Sequence, residues 1–248
     1  MTTYYNEDLA HVHDAGYGDL ARAAATALLP LLPSNAVVMD LGCGTGILAQ
    51  RLSEAGHRVH GVDISPAAIA LARSRAPRAV LQVASFADVP LPECDAVVSI
   101  GECLNYAFDP RVGTDSTLLP DLFARVRRAL RPGGLLLFDV CLVGTEPRPR
   151  VACTEGDDWM AVVHAAESSG TLTRRITTFR RLGELWRRSD ETHLQRLYTR
   201  DEITDALRRA GFTVRELASY GDHDLAPGRA GFLATLPEPR PGGQPGDG

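Results

Sequence analysis

The stretch Ala36-Val-Val-Met-Asp-Leu-Gly-Cys-Gly-Thr-Gly46 decides the fold. Ala36 to Leu41, apolar except for Asp40, reads as a buried strand, and three glycines at alternate positions follow before the helical pattern of about 45–55. Glycines at a strand-to-helix junction permit a tight turn and let a ligand approach the backbone at the positive end of a helix. Such a loop alone is a weak signal, since the nicotinamide fingerprint G-x-G-x-x-G is its neighbour. Here the third glycine arrives one residue early, so Gly42, Gly44 and Gly46 give G-x-G-x-G. Asp40, two positions before the first glycine, separates the two readings further. A carboxylate is repelled by a pyrophosphate a few ångströms away, but it suits the ammonium group of a bound amino acid.

Beyond this loop, apolar runs of strand length at 57–63, 79–83, 95–100 and 135–141 alternate with helical patterns. That alternation predicts a parallel sheet buried on both faces. One helix opens at Ser65-Pro66, an N-cap followed by a first-turn proline. Another, 118–130, stops at Arg131-Pro-Gly-Gly134. Asp63 closes the second strand, twenty-one positions after Gly42. A carboxylate there can accept hydrogen bonds from both hydroxyls of a ribose. Asp40 and Asp63 together point to S-adenosylmethionine, which carries a ribose and an ammonium group and no phosphate.

After residue 159 the pattern becomes polar/apolar, predicting antiparallel strands at 159–166, 172–180 and 184–195 with one wet face. A helix at 200–210 and strands at 212–218 and 230–236 follow. The expected organisation is an N-terminal helical cap over 1–35, a domain over 36–236 with a lid at about 155–197, and a disordered Pro/Gly-rich tail over 237–248.

The 248 residues suit one large α/β domain. The net charge of −5 argues against a general nucleic-acid binder. All 26 basic residues are Arg, a bacterial-type signature of a GC-rich genome that discounts the pairs Arg174-Arg175, Arg180-Arg181 and Arg187-Arg188 as solvated strand faces. No apolar run reaches membrane-spanning length, no secretory pattern opens the chain, and five scattered cysteines suggest neither disulfides nor a zinc site. A cytoplasmic monomer or homodimer without membrane, metal or nucleic-acid partner is expected.

Asp40-Leu-Gly-Cys-Gly-Thr-Gly46, Gly61-Val-Asp-Ile-Ser65 and Leu130-Arg-Pro-Gly-Gly134 before the fifth strand resemble the class I methyltransferases. The resemblance implies a Rossmann-like, doubly wound seven-stranded α/β sheet ordered 3-2-1-4-5-7-6, with strand 7 antiparallel and an antiparallel β insertion after strand 5. Such lids occur in small-molecule methyltransferases. The resemblance further implies cofactor contacts from Tyr5, Ile64, Ser85, Phe86 and Gly101 beside Asp40, Asp63 and the loop glycines. Many relatives carry Asp where this chain has Ser85; Asp88 comes three residues later and reads as a solvated loop residue. Glu102, following Gly101 at the carboxyl edge of the sheet, is a candidate catalytic group or a helix-start acid. His13 in the cap is a candidate base; a metal role with His11 lacks a third ligand. Tyr106 is a candidate substrate contact together with Arg196 and Tyr198, while Asn105 could floor the same pocket. Strand alternation puts Arg196 and Tyr198 on one face and His193 on the other.

The expected reaction is in-line transfer of a methyl group to a small-molecule N, O or C acceptor. The alternatives are another reaction of the bound cofactor, such as cyclisation, or methylation of RNA or protein. The lid is expected to cover the acceptor and to be dispensable for cofactor binding, because Asp40 and Asp63 lie on the other half of the sheet.

Overall fold

The computed structural model describes residues 5–106, 118–144 and 150–237. Helices α1 (Glu7–Gly16) and α2 (Asp19–Leu28) precede β1 (Val37–Leu41), which is buried at every position. Then come α3 (Ile47–Glu54), β2 (Arg58–Asp63), α4 (Pro66–Arg75), β3 (Val80–Val83), β4 (Cys94–Ser99), α5 (Leu118–Ala129) and β5 (Leu130–Cys141). The insertion consists of β6 (Arg150–Glu155), β7 (Trp159–Ser168), β8 (Thr171–Leu182) and β9 (Leu185–Arg196). The chain ends with α6 (Arg200–Arg209), β10 (Thr213–Leu217), a small hairpin of β11 (Ser219–Tyr220) and β12 (His223–Asp224), and β13 (Arg229–Thr235).

The main sheet has the order β3-β2-β1-β4-β5-β13-β10. The first five of these strands pair in parallel, and β13 runs antiparallel to both β5 and β10. This is the seven-stranded topology that the resemblance to class I methyltransferases implies. One face packs Leu28 of α2, Leu52 of α3 and Ile69 of α4 against Val38 and Val98. The other packs Phe123 of α5 and Ile203 and Leu207 of α6 against Phe138 and Phe232, whose rings stack 5.4 Å apart. The strand order reverses between β1 and β4, opening a crevice at their carboxyl ends where α/β sheets bind ligands.

Local chemistry sets the helix starts. Ser65 Oγ accepts the Ala68 N–H at 3.0 Å and caps α4. Thr199 and Glu202 form a reciprocal capping box at α6. Two elements differ from expectation. β5 begins at Leu130, because Arg131-Pro-Gly-Gly134 is absorbed into the strand through a register irregularity opposite β4. The insertion has four strands instead of three, in the order β6-β7-β8-β9. β6 is exposed at nearly every position, so no apolar alternation marks it. Residues 238–248, nearly all of the expected disordered tail, lie outside the described residues.

Register decides which lid residues face inward. His193 lies opposite Arg174, Glu191 opposite Ile176 and Gln195 opposite Leu172, so these share one face of β8 and β9. That face is buried at His193 and Gln195. Arg174 therefore departs from the solvated face predicted for it: it turns inward to a buried carboxylate and is only 19% exposed.

Candidate active site

A cavity of about 130 Å³ opens at the crevice between β1 and β4. Asp40, Gly42, Gly44, Asp63, Ile64, Phe86 and Gly101 line it, together with Tyr5 and His13 from the N-terminal segment and Tyr106 beyond β4.

Asp40 sits at the end of β1, 2% exposed, and its Oδ2 has no hydrogen-bond partner. Burial, reinforced by the charge of Asp63, pushes its carboxyl up to about 7. Asp63 is better supported: Oδ2 accepts the Gly44 N–H at 2.9 Å and Oδ1 accepts the Ser65 N–H at 2.8 Å. Burial still raises it above the ordinary carboxylate range, opposed by those backbone bonds. Each of its oxygens keeps lone-pair capacity for a hydroxyl. At Gly44 and Gly101, both with positive φ, a Cβ would meet nothing within 4 Å, so the backbone there is bare toward open space. At Gly42 a Cβ would come within 2.6 Å of Cys103 Sγ, and at Gly46 within 2.9 Å of the Ala72 Cβ. Gly46 thus allows α3 to approach α4, and it does not line the cavity. An orphaned buried carboxylate oxygen, a second carboxylate with free lone pairs and a bare glycine cradle fit the ammonium, ribose and backbone-hugging chain of S-adenosylmethionine.

The turn after β4 is held from outside the cavity. Asp139 on β5, fully buried, accepts the N–H groups of Gly101 and Glu102 at 2.9 Å each, and Tyr220 Oη donates to it at 3.2 Å. Glu102 adopts left-handed backbone, φ 57°. Its side chain does not line the cavity; it is ion-paired with Arg174 from the lid and Arg229 from β13, and accepts from Cys141 Sγ at 2.8 Å. Burial would raise its carboxyl, but the Arg229 and Arg174 guanidiniums hold it well below the usual range. A carboxylate so neutralised is a poor proton acceptor.

At the far end the wall is aromatic. Tyr5 Oη and Tyr106 Oη lie 2.6 Å apart, and the Tyr5 ring is 5.6 Å from His13 and 5.0 Å from His193. Burial raises both phenols, so they stay protonated at neutral pH. The His13 ring remains accessible through the cavity, yet desolvation by the surrounding protein lowers it below 6.5, against the pull of Glu102. It is a neutral imidazole at pH 7.

Residues 13–217 match a family model for a methyltransferase domain. The chain belongs to that methyltransferase family. A putative methyltransferase, YqeM of Bacillus subtilis (strain 168), is 29% identical over 202 residues, 76% of this chain and 78% of its own length. The malonyl-[acyl-carrier protein] O-methyltransferase of Serratia marcescens is 29% identical over 198 residues, 80% and 68% of the two chains. Among solved structures, Streptomyces venezuelae DesVI superposes with a TM-score of 0.77 at 24% identity, covering 94% of this chain and 100% of its own. The sugar N-methyltransferase KedS8 from Streptoalloteichus gives 0.75 at 22%, covering 96% and 98%. At these identities the structures establish a shared fold. With the donor set above, the protein is an S-adenosylmethionine-dependent methyltransferase.

Several expected site residues stand elsewhere in this methyltransferase. Ser85 is buried but turned back to the Ala87 N–H at 3.1 Å, and its neighbours Ala84 and Phe86 reach the cavity in its place. Tyr198 packs into the core and donates to the Leu104 carbonyl at 3.2 Å. Arg196 lies 5.0 Å above the Tyr198 ring and 3.5 Å from Glu202, and it does not line the cavity. Asn105 staples the ends of β5 and β9, bonding Cys141 N at 2.8 Å and the Arg196 carbonyl at 2.6 Å. His11 pairs with Asp158 at 3.1 Å, and among the described residues no three potential ligands cluster for a metal. Asp88 is exposed. Sequence reasoning missed Arg174, Arg229, Asp139, Tyr220 and Glu191, which come from five different strands with no local motif. Among the described residues no helix is long and apolar enough to cross a membrane.

Proposed function

We propose that this methyltransferase acts on a small molecule whose acceptor nitrogen or oxygen enters without a negative charge. One observation carries the reading: the acceptor end is walled by Tyr5, Tyr17, Tyr106 and His13, and no arginine is among the described lining residues of a chain that contains no lysine. An acceptor of the malonyl kind, as named for the Serratia relative, would bring a carboxylate and call for a cation. The sugar N-methyltransferase KedS8 and the amino pentose methyltransferase CalS10 share the fold, and their named substrates agree with a polar acceptor that carries no negative charge.

S-adenosylmethionine, when bound, supplies a methyl group on a sulfonium already activated for displacement. The chain's own residues then need to align the acceptor, exclude water and accept a proton. His13 faces the cavity as a neutral imidazole and is the proton acceptor in this reading. Glu102 acts at one remove, as the positioning residue that ties the Gly101 turn to the lid. Tyr5 and Tyr106, their hydroxyls 2.6 Å apart, close the wall beside the acceptor.

The test is S-adenosylhomocysteine formation with matched panels of amines, alcohols and carboxylates on the same carbon skeletons. Turnover of amines or alcohols is expected. Turnover confined to carboxylates overturns the proposal.

A further inference from the structure

We infer that Glu191, on lid strand β9, is a positioning residue that latches the N-terminal helix over the cofactor cavity, so that the lid sets cofactor affinity. This goes beyond the acceptor assignment and does not depend on it.

The Glu191 side chain is 6% exposed and holds two backbone groups from the other end of the chain. Its Oε2 accepts the Tyr5 N–H at 2.8 Å, and its Oε1 accepts the Asn6 N–H at 2.9 Å. His193 Nε2 lies 2.9 Å from the same Oε2. The first N–H groups of a helix have no partner within it, and the side chain of Asn6, at the N-cap of α1, makes no capping bond. A buried carboxylate is a strong acceptor there, being charged and at the positive helix end. One of these otherwise unpartnered donors, the N–H of the N-cap residue Asn6, is therefore satisfied by a residue 185 positions away.

The geometry of Tyr5 shows what the latch accomplishes. Its backbone is left-handed, φ 51°, a conformation a tyrosine keeps only where the surroundings impose it. Its carbonyl accepts from Ser65 Oγ at 2.7 Å, and the Ser65 N–H donates to Asp63 at 2.8 Å. Tyr5 is thus strung between the lid and the cofactor half of the domain, with its ring in the cavity wall. Asp8, one turn on, is 3% exposed and accepts from Arg187 Nε at 2.8 Å and Ser189 Oγ at 2.5 Å, both on β9. Asp8 fixes the body of α1, and Glu191 fixes the residue that meets the ligand. Coupling of this kind is reciprocal: a lid ordered by acceptor strengthens cofactor binding, and bound cofactor orders the lid.

The experiment is calorimetric titration of S-adenosylhomocysteine into the full-length wild type, Glu191→Ala and Glu191→Gln, with KM for S-adenosylmethionine and kcat measured alongside. Glu191→Ala is expected to weaken cofactor binding and raise KM at least about tenfold, the scale of losing hydrogen bonds to a charged acceptor. kcat at saturation should change less. Glu191→Gln keeps one acceptor oxygen and should recover part of the loss. Glu191→Ala binding with wild-type affinity while melting normally overturns the inference. Should that variant not fold, hydrogen exchange on the unaltered protein decides. Tyr5 and Asn6 amides that exchange slowly, and more slowly with S-adenosylhomocysteine, support the latch; amides exchanging at the free-peptide rate in both states overturn it.

Discussion

Asp40 ties cofactor affinity to pH in a way that can be worked out from its surroundings. Its carboxyl is pushed up to about 7 by burial and by Asp63, and one oxygen lacks any partner in the protein. A ligand ammonium group prefers the ionised form. At pH 6 a group with pKa about 7 is about one-tenth ionised, and at pH 8 about nine-tenths. Affinity for S-adenosylhomocysteine should therefore rise about tenfold from pH 6 to pH 8, or about 1.4 kcal/mol, and then level off. Calorimetry in buffers of different ionisation enthalpy should find nearly one proton released on binding at pH 6 and almost none at pH 8. Asp40→Asn should bind weakly and without this pH dependence.

The same burial carries a stability cost of predictable sign. Because the folded carboxyl titrates higher than the 3.8 of an ordinary aspartate, the free protein holds more protons than the unfolded chain across that window. Stability is then lost as pH rises toward about 7, by up to about 4 kcal/mol for about three pH units. Asp40→Asn should consequently melt at least as high as the wild type at pH 8 while binding cofactor poorly. A dissociation constant that is flat from pH 6 to pH 8 in the wild type would refute the assignment of Asp40 to the ammonium.

Asp63→Ala should weaken S-adenosylhomocysteine by about 1.5–3 kcal/mol in calorimetry and leave the far-ultraviolet spectrum unchanged. Glu102→Ala leaves Arg174 and Arg229, 19% and 18% exposed, without their shared carboxylate; a loss of about 3–5 kcal/mol in chemical denaturation is expected, and an unchanged midpoint would contradict the positioning role. With His13 lowered below 6.5, activity should rise with pH through that depressed pKa and be flat by about pH 7. His13→Gln should abolish the acidic limb, and a variant keeping it would remove His13 as proton acceptor. Replacing 155–197 by a Gly/Ser linker should now cost cofactor affinity as well as turnover, contrary to the sequence expectation, since the lid carries Glu191, Arg187 and Ser189; calorimetry on the lidless protein measures it.

The parts that were legible in the sequence are those whose chemistry is local. The glycine loop, Asp40 and Asp63 sit within one strand–turn–helix–strand unit, where position along the chain fixes position in space. The strand pattern from 36 to 141 is readable because a doubly covered parallel sheet demands continuous apolar runs. β6 was not, because an exposed edge strand needs no pattern. Arg174 was discounted on composition, and strand alternation alone does not tell which face of the lid turns inward. Glu102 was placed correctly at the carboxyl edge, but its partners Arg174 and Arg229 come 72 and 127 residues later, and they reverse its chemical meaning. Tyr198 and Arg196 were misplaced because the chain leaves β9 at Leu197 to enter α6, and alternation along one strand does not survive that turn.

What the later segments add is rigidity at the place where the reaction needs it. Of the four described non-glycine residues in left-handed backbone, Tyr5 and Glu102 both belong to the site, at about 1–2 kcal/mol each. Each is held by a buried carboxylate from elsewhere in the fold, Glu191 for Tyr5 and Asp139 for Glu102. Methyl transfer from a sulfonium asks the protein mainly for alignment and dryness. Four carboxylates meet that demand together: Asp139 fixes the floor at Gly101, Glu102 draws in the lid, Glu191 and Asp8 draw down the cap. Among the described residues, Asp40 and Asp63 are the two carboxyl groups left lining the cavity, and the orphaned oxygen of Asp40 with the remaining lone pairs of Asp63 is the part of the site that a cofactor completes.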